Sequence, residues 1–222
     1  MASPFKLGVS QGDAKKALLR PAVDGTRNVL GSVARTPSVQ RVVLTSSIAA
    51  ILAFPQAGRV YSEDDWNDQS SEALFPYELS KTLAERAAWD SARSRSRWSL
   101  VAINPGLVMG PPLGPQPEGE SIALMRRILR GDLRAGYPAF ELRTVDVRDV
   151  AKAHCVAMVK EDAHGRYLVA PNTFTFPRAA EVLREGPLGA QLAWRLPGRR
   201  PAPRWLLSLL ADVAGIERCR LE

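Results

Sequence analysis

The sequence predicts an α/β fold built on a parallel sheet with helices on both faces. Segments of strand character alternate along the chain with segments of helical period. Two of the strand segments, residues 41–45 and 98–103, are apolar at consecutive positions, the pattern of a strand covered on both faces. The 222 residues are 45% hydrophobic and 24% charged, enough apolar material to build a core and too much for a disordered chain.

The elements follow in order. Leu18, Leu19, Ala22, Val23, Val29, Leu30 and Val33 recur at helical spacing within residues 14–34. Pro21 suits a first turn, where the missing N–H costs little. Arg41-Val42-Val43-Leu44-Thr45 reads as a buried parallel strand, followed by Ser46-Ser47. Residues 55–75 are rich in Pro, Gly, Ser, Asp and Asn and read as a surface loop. A helix is expected over 76–91, opened by Pro76, and a strand over 98–103 that stops at Asn104-Pro105-Gly106. An irregular Pro/Gly loop over 110–119 precedes a helix over 120–131. A strand at 142–145 leads into a helix over 147–159. A further strand is expected at 166–170, with helices at 177–185 and 203–215.

Composition narrows the function classes. The net charge of +7 comes from 6 Lys and 24 Arg against 23 acidic residues. The arginines are scattered, without aromatic interleaving or a finger or helix-turn-helix pattern, so they read as solvated faces rather than a nucleic-acid surface. The longest apolar run, Ile48 to Phe54, is far short of the roughly 20 residues of a membrane span. The first residues do not form a secretory signal. Two cysteines, Cys155 and Cys219, predict no disulfide framework and a reducing, cytoplasmic setting.

The chemistry is concentrated in Tyr77-Glu78-Leu79-Ser80-Lys81. Four residues apart on a helix, Tyr77 and Lys81 share one face. A cation near a phenol favours the phenolate, which makes the tyrosine a proton donor or acceptor for a carbonyl or alcohol. Ser46 and Ser47 stand just past a strand end, the edge where open α/β sheets bind ligands. Three other features read as structural. His154 and Cys155 are adjacent on a helix and cannot share a face, so no metal site is expected. Asp146 and Asp149 suit a helix start. Trp205 to Leu210 suits a core-packed helix.

Seven ordered segments resemble the extended short-chain dehydrogenase/reductases of the NAD-dependent epimerase/dehydratase superfamily. The similarity is to the branch of dihydroflavonol reductases and cinnamoyl-CoA reductases. The segments are Ala2 to Phe5, Pro21 to Leu30, Arg41 to Ser47, Tyr77 to Glu85, Asn104 to Pro111, Val145 to Ala151 and Arg166 to Ala170. The resemblance implies a partial Rossmann-type domain over residues 1–160, and elements of a small C-terminal substrate lobe over 161–222.

It also implies roles. Tyr77 protonates the carbonyl oxygen, Lys81 tunes Tyr77 and binds the nicotinamide ribose, and Ser47 hydrogen-bonds the substrate oxygen, with Ser46 as the alternative. Thr45 and Ser46 line the cofactor, and Pro105, Gly106, Leu107 and Val108 hold its carboxamide edge. The expected cofactor is NADP(H) in preference to NAD(H), and the expected substrate a small carbonyl compound. Leu74-Phe75-Pro76 differ from the Asn-Trp pair that cinnamoyl-CoA reductases place before the tyrosine, which favours a general aldehyde or ketone reductase.

No G-x-x-G-x-x-G or G-x-G-x-x-G occurs in the chain, and the resemblance places its first residues after the family's fourth strand. The phosphate-binding part is therefore expected to be missing. Strand 41–45 would then lie on an exposed edge, and the chain is expected to fold poorly or associate, and to bind nicotinamide cofactor weakly or not at all. The alternatives are a non-catalytic remnant acting through protein association, a sugar-nucleotide epimerase or dehydratase, and a hydroxysteroid dehydrogenase.

Overall fold

The computed structural model describes residues 15–93, 97–114, 119–137, 141–198 and 201. The segment at 2–5 and the helix expected at 203–215, Trp205 to Leu210 included, lie outside them. A π-helical turn (Lys15–Leu19) runs into helix α1 (Arg20–Arg35), with Pro21 in its first turn. Strand β1 (Arg41–Thr45) and a 3₁₀ turn (Ile48–Ala50) follow. Then come α2 (Pro76–Arg93), β2 (Ser99–Pro105), β3 (Leu107–Met109) and α3 (Glu120–Arg130). β4 (Leu142–Asp146), α4 (Val147–Val159), β5 (Gly165–Val169), β6 (Asn172–Phe174) and α5 (Phe176–Glu185) complete the order, with a last helical turn at Gly189–Leu192.

The chain divides into two compact units, Met1–Val108 with Val145–Ala170, and Met109–Thr144 with Pro171–Glu222. This differs from a single boundary at residue 160. The physical reason is that β5 returns to pair with β2, so residues 161–170 belong with the first sheet.

In the first unit, β1, β2 and β5 form a parallel sheet in that order. Alternation of side chains sorts the apolar residues onto two faces. On one face Leu44 and Leu100 pack with Leu30 of α1, Ala88 of α2 and Trp98. On the other, Val101 and Ile103 pack with Ala157 of α4 and Ala163. β2 is the central strand and is buried from Leu100 onward. β1 pairs only with β2 among the described strands, so Arg41, Val42 and Val43 are half-buried rather than enclosed. Arginines close helix ends here. Arg41 donates to the carbonyls of Ala157, Lys160 and Glu161 at the end of α4 (3.0, 2.5 and 2.9 Å). Arg97 donates to Val33 and Ala34 at the end of α1 (3.0 and 2.9 Å). The Ala157 carbonyl lies in the last turn of α4, where helical partners run out, and Arg41 supplies a donor there; Arg97 adds a second donor to Val33 O, which also accepts from Thr36 N–H at 3.1 Å.

The second unit holds a core of Ile128, Leu133, Tyr137, Phe176, Ala180 and Leu196. The second sheet has the order β3-β4-β6, with β4 antiparallel to β6. β3 and β6 are three residues each, too short to show a period in sequence. Gly131 ends α3 in the left-handed region at φ 89°, where a side chain would press on Arg195 at 3.3 Å.

Candidate active site

α2 starts where the sequence expects it. Pro76 occupies the first turn, and the Phe75 carbonyl accepts the first helical bond from Leu79 N–H at 3.0 Å. Phe75 itself is buried in the left-handed region at φ 58°. For a bulky residue before proline that conformation is strained, by about 1–3 kcal/mol. The strain lies two positions before Tyr77.

Tyr77 and Lys81 are both half-buried on α2. The Lys81 ammonium lies 5.4 Å from the centroid of the Tyr77 ring, within cation–π range. Burial pushes the Lys81 pKa down, because desolvation disfavours the charged form. No ion pair among the described residues holds this ammonium. Lys81 lines a cavity of about 130 Å³ together with Thr45, Ser46 and the α1 residues Ala22, Thr26 and Val29.

The two serines after β1 have different employments. Ser46 N–H extends the ladder to Ile103 O at 2.8 Å, and its hydroxyl donates to Glu85 Oε2 at 2.5 Å. Ser47 caps the 3₁₀ turn, its Oγ accepting from Ala49 N–H at 3.2 Å. Its own proton has no acceptor among the described residues. The Ser46 hydroxyl is thus engaged as a donor to Glu85, and the Ser47 hydroxyl as an acceptor from Ala49.

Thr45 ends β1 exposed, with its Oγ1 2.7 Å from His154 Nε2. His154 Nδ1 lies 2.8 Å from Val150 O. A carbonyl only accepts, so in the neutral ring Nδ1 carries the proton and Thr45 donates to Nε2. Pro105 is buried at the end of β2 beside Val169, and Gly106 N–H donates to Val169 O at 3.1 Å. Leu107 and Val108 follow, half-buried in β3. Thr45, Ser46 and Lys81 thus line one cavity, Ser47 follows Ser46 beyond β1, and residues 105 to 108 lie at the end of β2 and in β3.

Several residues inside the family-like segments carry contacts that the sequence reading gave no site role. Glu85 lies one turn beyond Lys81, fully buried, and accepts from Ser46, Asn104, Arg166 and Trp89. Two sequence signals mark it: an acidic residue among Ala84, Ala87 and Ala88, and a polar Asn104 closing the apolar run Leu100 to Ile103. Asp146 caps α4 by accepting from Arg148 N–H at 2.8 Å. The Arg148 guanidinium, and then that backbone bond, bring its pKa down to about 2. Among the described residues no cluster of His, Cys, Asp or Glu could hold a metal ion. No helix among them is long and apolar enough to cross a membrane.

Residues 9–170 match the NAD dependent epimerase/dehydratase family. A cinnamoyl-CoA reductase of Medicago truncatula is 36% identical over 189 residues, covering 83% of this chain and 56% of its own. The NADPH-dependent methylglyoxal reductase GRE2 of Saccharomyces cerevisiae is 33% identical over 202 residues, covering 83% and 58%. The crystal structure of Gre2 from Candida albicans with NADPH superposes with a TM-score of 0.77 at 37% identity, covering 90% of this chain and 63% of that one. The chain spans little more than half the length of these curated relatives. The sheet, the helices on its two faces and the matched residues identify the chain as a member of the NAD dependent epimerase/dehydratase family, in its dihydroflavonol reductase- and cinnamoyl-CoA reductase-like branch.

Proposed function

We propose that the chain serves the reduction of an aldehyde or ketone to its alcohol with NADP(H), with Tyr77 as proton donor. The observation that carries this is Lys81: a desolvated ammonium, without an ion-pair partner among the described residues, 5.4 Å from the Tyr77 ring centroid.

The residues present fit a nicotinamide cofactor. A desolvated cation at the carboxyl edge of a parallel sheet, beside the Thr45 and Ser46 hydroxyl oxygens, offers a donor and two acceptors to ribose hydroxyls. Lys81, Thr45 and Ser46 would hold the ribose, and the backbone from Pro105 to Val108 the carboxamide. When bound, the cofactor supplies the hydride that adds to the carbonyl carbon.

The chain's own residues handle the oxygen. Ser47 donates its available proton in a hydrogen bond to the carbonyl oxygen and holds it in place. Tyr77 transfers its phenolic proton to that oxygen as negative charge develops there. Lys81 stabilises the phenolate left behind. The substrate gains one hydride and one proton, and Tyr77 is reprotonated from solvent.

The yeast and Candida reductases named for NADPH and methylglyoxal support a small carbonyl substrate and NADP(H) over NAD(H). The test is to titrate the purified chain with NADPH, then follow NADPH consumption with a panel of small aldehydes and ketones. Carbonyl-dependent oxidation of NADPH supports the proposal, and its absence across the panel rejects it.

The one-sided pairing of β1 among the described residues favours a second reading, association of the chain with a second copy through that edge. Concentration-dependent size in sedimentation, lost when Val42→Lys charges the strand, would support it. A monomer at all concentrations would reject it.

A further inference from the structure

We infer that Glu85 is a positioning residue, whose carboxylate, held by Arg166, fixes the Ser46–Ser47 corner against the helix bearing Tyr77 and Lys81. The inference deepens the reductase reading and rests on it for its catalytic consequence.

The Glu85 side chain is wholly excluded from solvent, and that of Arg166 is 7% exposed. Each carboxylate oxygen takes two donors. Oε1 accepts from Arg166 Nε at 2.7 Å and Trp89 Nε1 at 3.1 Å. Oε2 accepts from Ser46 Oγ at 2.5 Å and Asn104 Nδ2 at 2.7 Å. Arg166 is itself fixed: it donates to the carbonyls of Glu63 (2.9 Å) and Asp65, and stacks 4.0 Å over the Trp66 ring. A buried charge pair of this kind is costly to desolvate and is a poor choice for stability alone.

What the cluster joins explains its use. Tyr77, Lys81 and Glu85 recur every four residues on one face of α2. The carboxylate therefore locks that face to the end of β1 through Ser46, and to the end of β2 through Asn104. Asn104 Nδ2 also donates to the Ser47 carbonyl at 3.1 Å. Ser47 is thus held in its backbone through Asn104, while the competing hydroxyl proton of Ser46 is absorbed by Glu85. One carboxylate decides which serine offers a proton and where.

Glu85→Gln tests this, because it keeps the shape and removes the second acceptor. A carboxamide turns an N–H toward Ser46 and Asn104 or toward Arg166 and Trp89, so one pair of donors loses its partner. Hydrogen exchange and steady-state kinetics are measured on the full chain. The expected result is amide exchange about five- to tenfold faster over residues 46–51, as for one lost hydrogen bond, with α1 and β2 unchanged. With it, kcat falls about 10–100-fold, as for a small misplacement of catalytic groups, and the KM for NADPH changes less, because Lys81 and Thr45 still hold the ribose. Ser46→Ala, a smaller change that removes one donor, is expected to speed the same amides and decides the matter if Glu85→Gln does not fold. Unchanged exchange over 46–51, or equal acceleration throughout the first unit, overturns the inference. A wild-type chain without turnover rejects the reductase reading alone, and the exchange data still decide the role of Glu85.

Discussion

Lys81 holds its ammonium 5.4 Å from the centroid of the Tyr77 ring, one helical turn away, at the cost of partial desolvation. A cation placed where solvation is poor is more useful to chemistry than to folding. That trade makes the first prediction.

Lys81→Met is expected to raise the melting temperature at neutral pH, by about 2–4 °C for a domain of this size, and to abolish turnover. The sign follows from linkage. The folded pKa of Lys81 lies below its unfolded value, so the unfolded chain binds the proton more strongly, and stability climbs as pH rises through that alkaline window. The substitution removes this climb. Thermal melts at several pH values check it, and a lower melting temperature for the variant would contradict it.

Asp146 is expected to titrate at about 2 in the folded chain, and Arg148→Ala to move it back toward the ordinary Asp value. Its folded pKa is depressed, so its contribution to stability is full above the unfolded value and fades as pH falls through about 2. Asp146→Asn keeps an N-cap oxygen but loses the charged bonds to Arg148, so it should lower stability near pH 7 and remove that acid dependence. Carboxyl carbon shifts in an acid titration report both effects.

Arg41 closes α4 with three carbonyl bonds across sequence separations of 116 to 120 residues. Arg41→Ala is expected to destabilise the chain by about 1–3 kcal/mol, the worth of charged hydrogen bonds. Arg41→Lys should recover part of this, because an ammonium cannot match the planar fork. Urea denaturation measures it, and wild-type stability in Arg41→Ala would show the clamp idle.

Thr45 and His154 are expected to fix one ring tautomer, with the proton on Nδ1. Nitrogen chemical shifts of the imidazole should show that form in the neutral ring. Thr45→Val should broaden or shift the Nε2 signal and leave Nδ1 in place, and a ring protonated on Nε2 would contradict the assignment.

The parts of this molecule legible in sequence are those with local pattern. The helical period gives α4 its full extent, Val147–Val159, and the proline at the first turn places α2 and with it Tyr77 and Lys81. The short strands β3 and β6 carry no readable period. The half-burial of β1 depends on which strands flank it, and its residues alone cannot state that. The residues around Glu85 lie in recognisable segments, but their pairing is illegible for a different reason. Glu85 and Arg166 meet across 81 positions, and Thr45 and His154 across 109. Pairing at such separations leaves no spacing to recognise. The choice between Ser46 and Ser47 turns on the same hidden carboxylate, so motif order alone leaves it open.

The most direct test of the central claim is the rate of NADPH oxidation with a small aldehyde or ketone by the wild-type chain and by Tyr77→Phe. The account predicts carbonyl-dependent turnover in the wild type, and a kcat lower by about 10²–10⁴-fold in Tyr77→Phe with cofactor affinity retained, the loss typical of a general acid. Equal rates in the two proteins would contradict it.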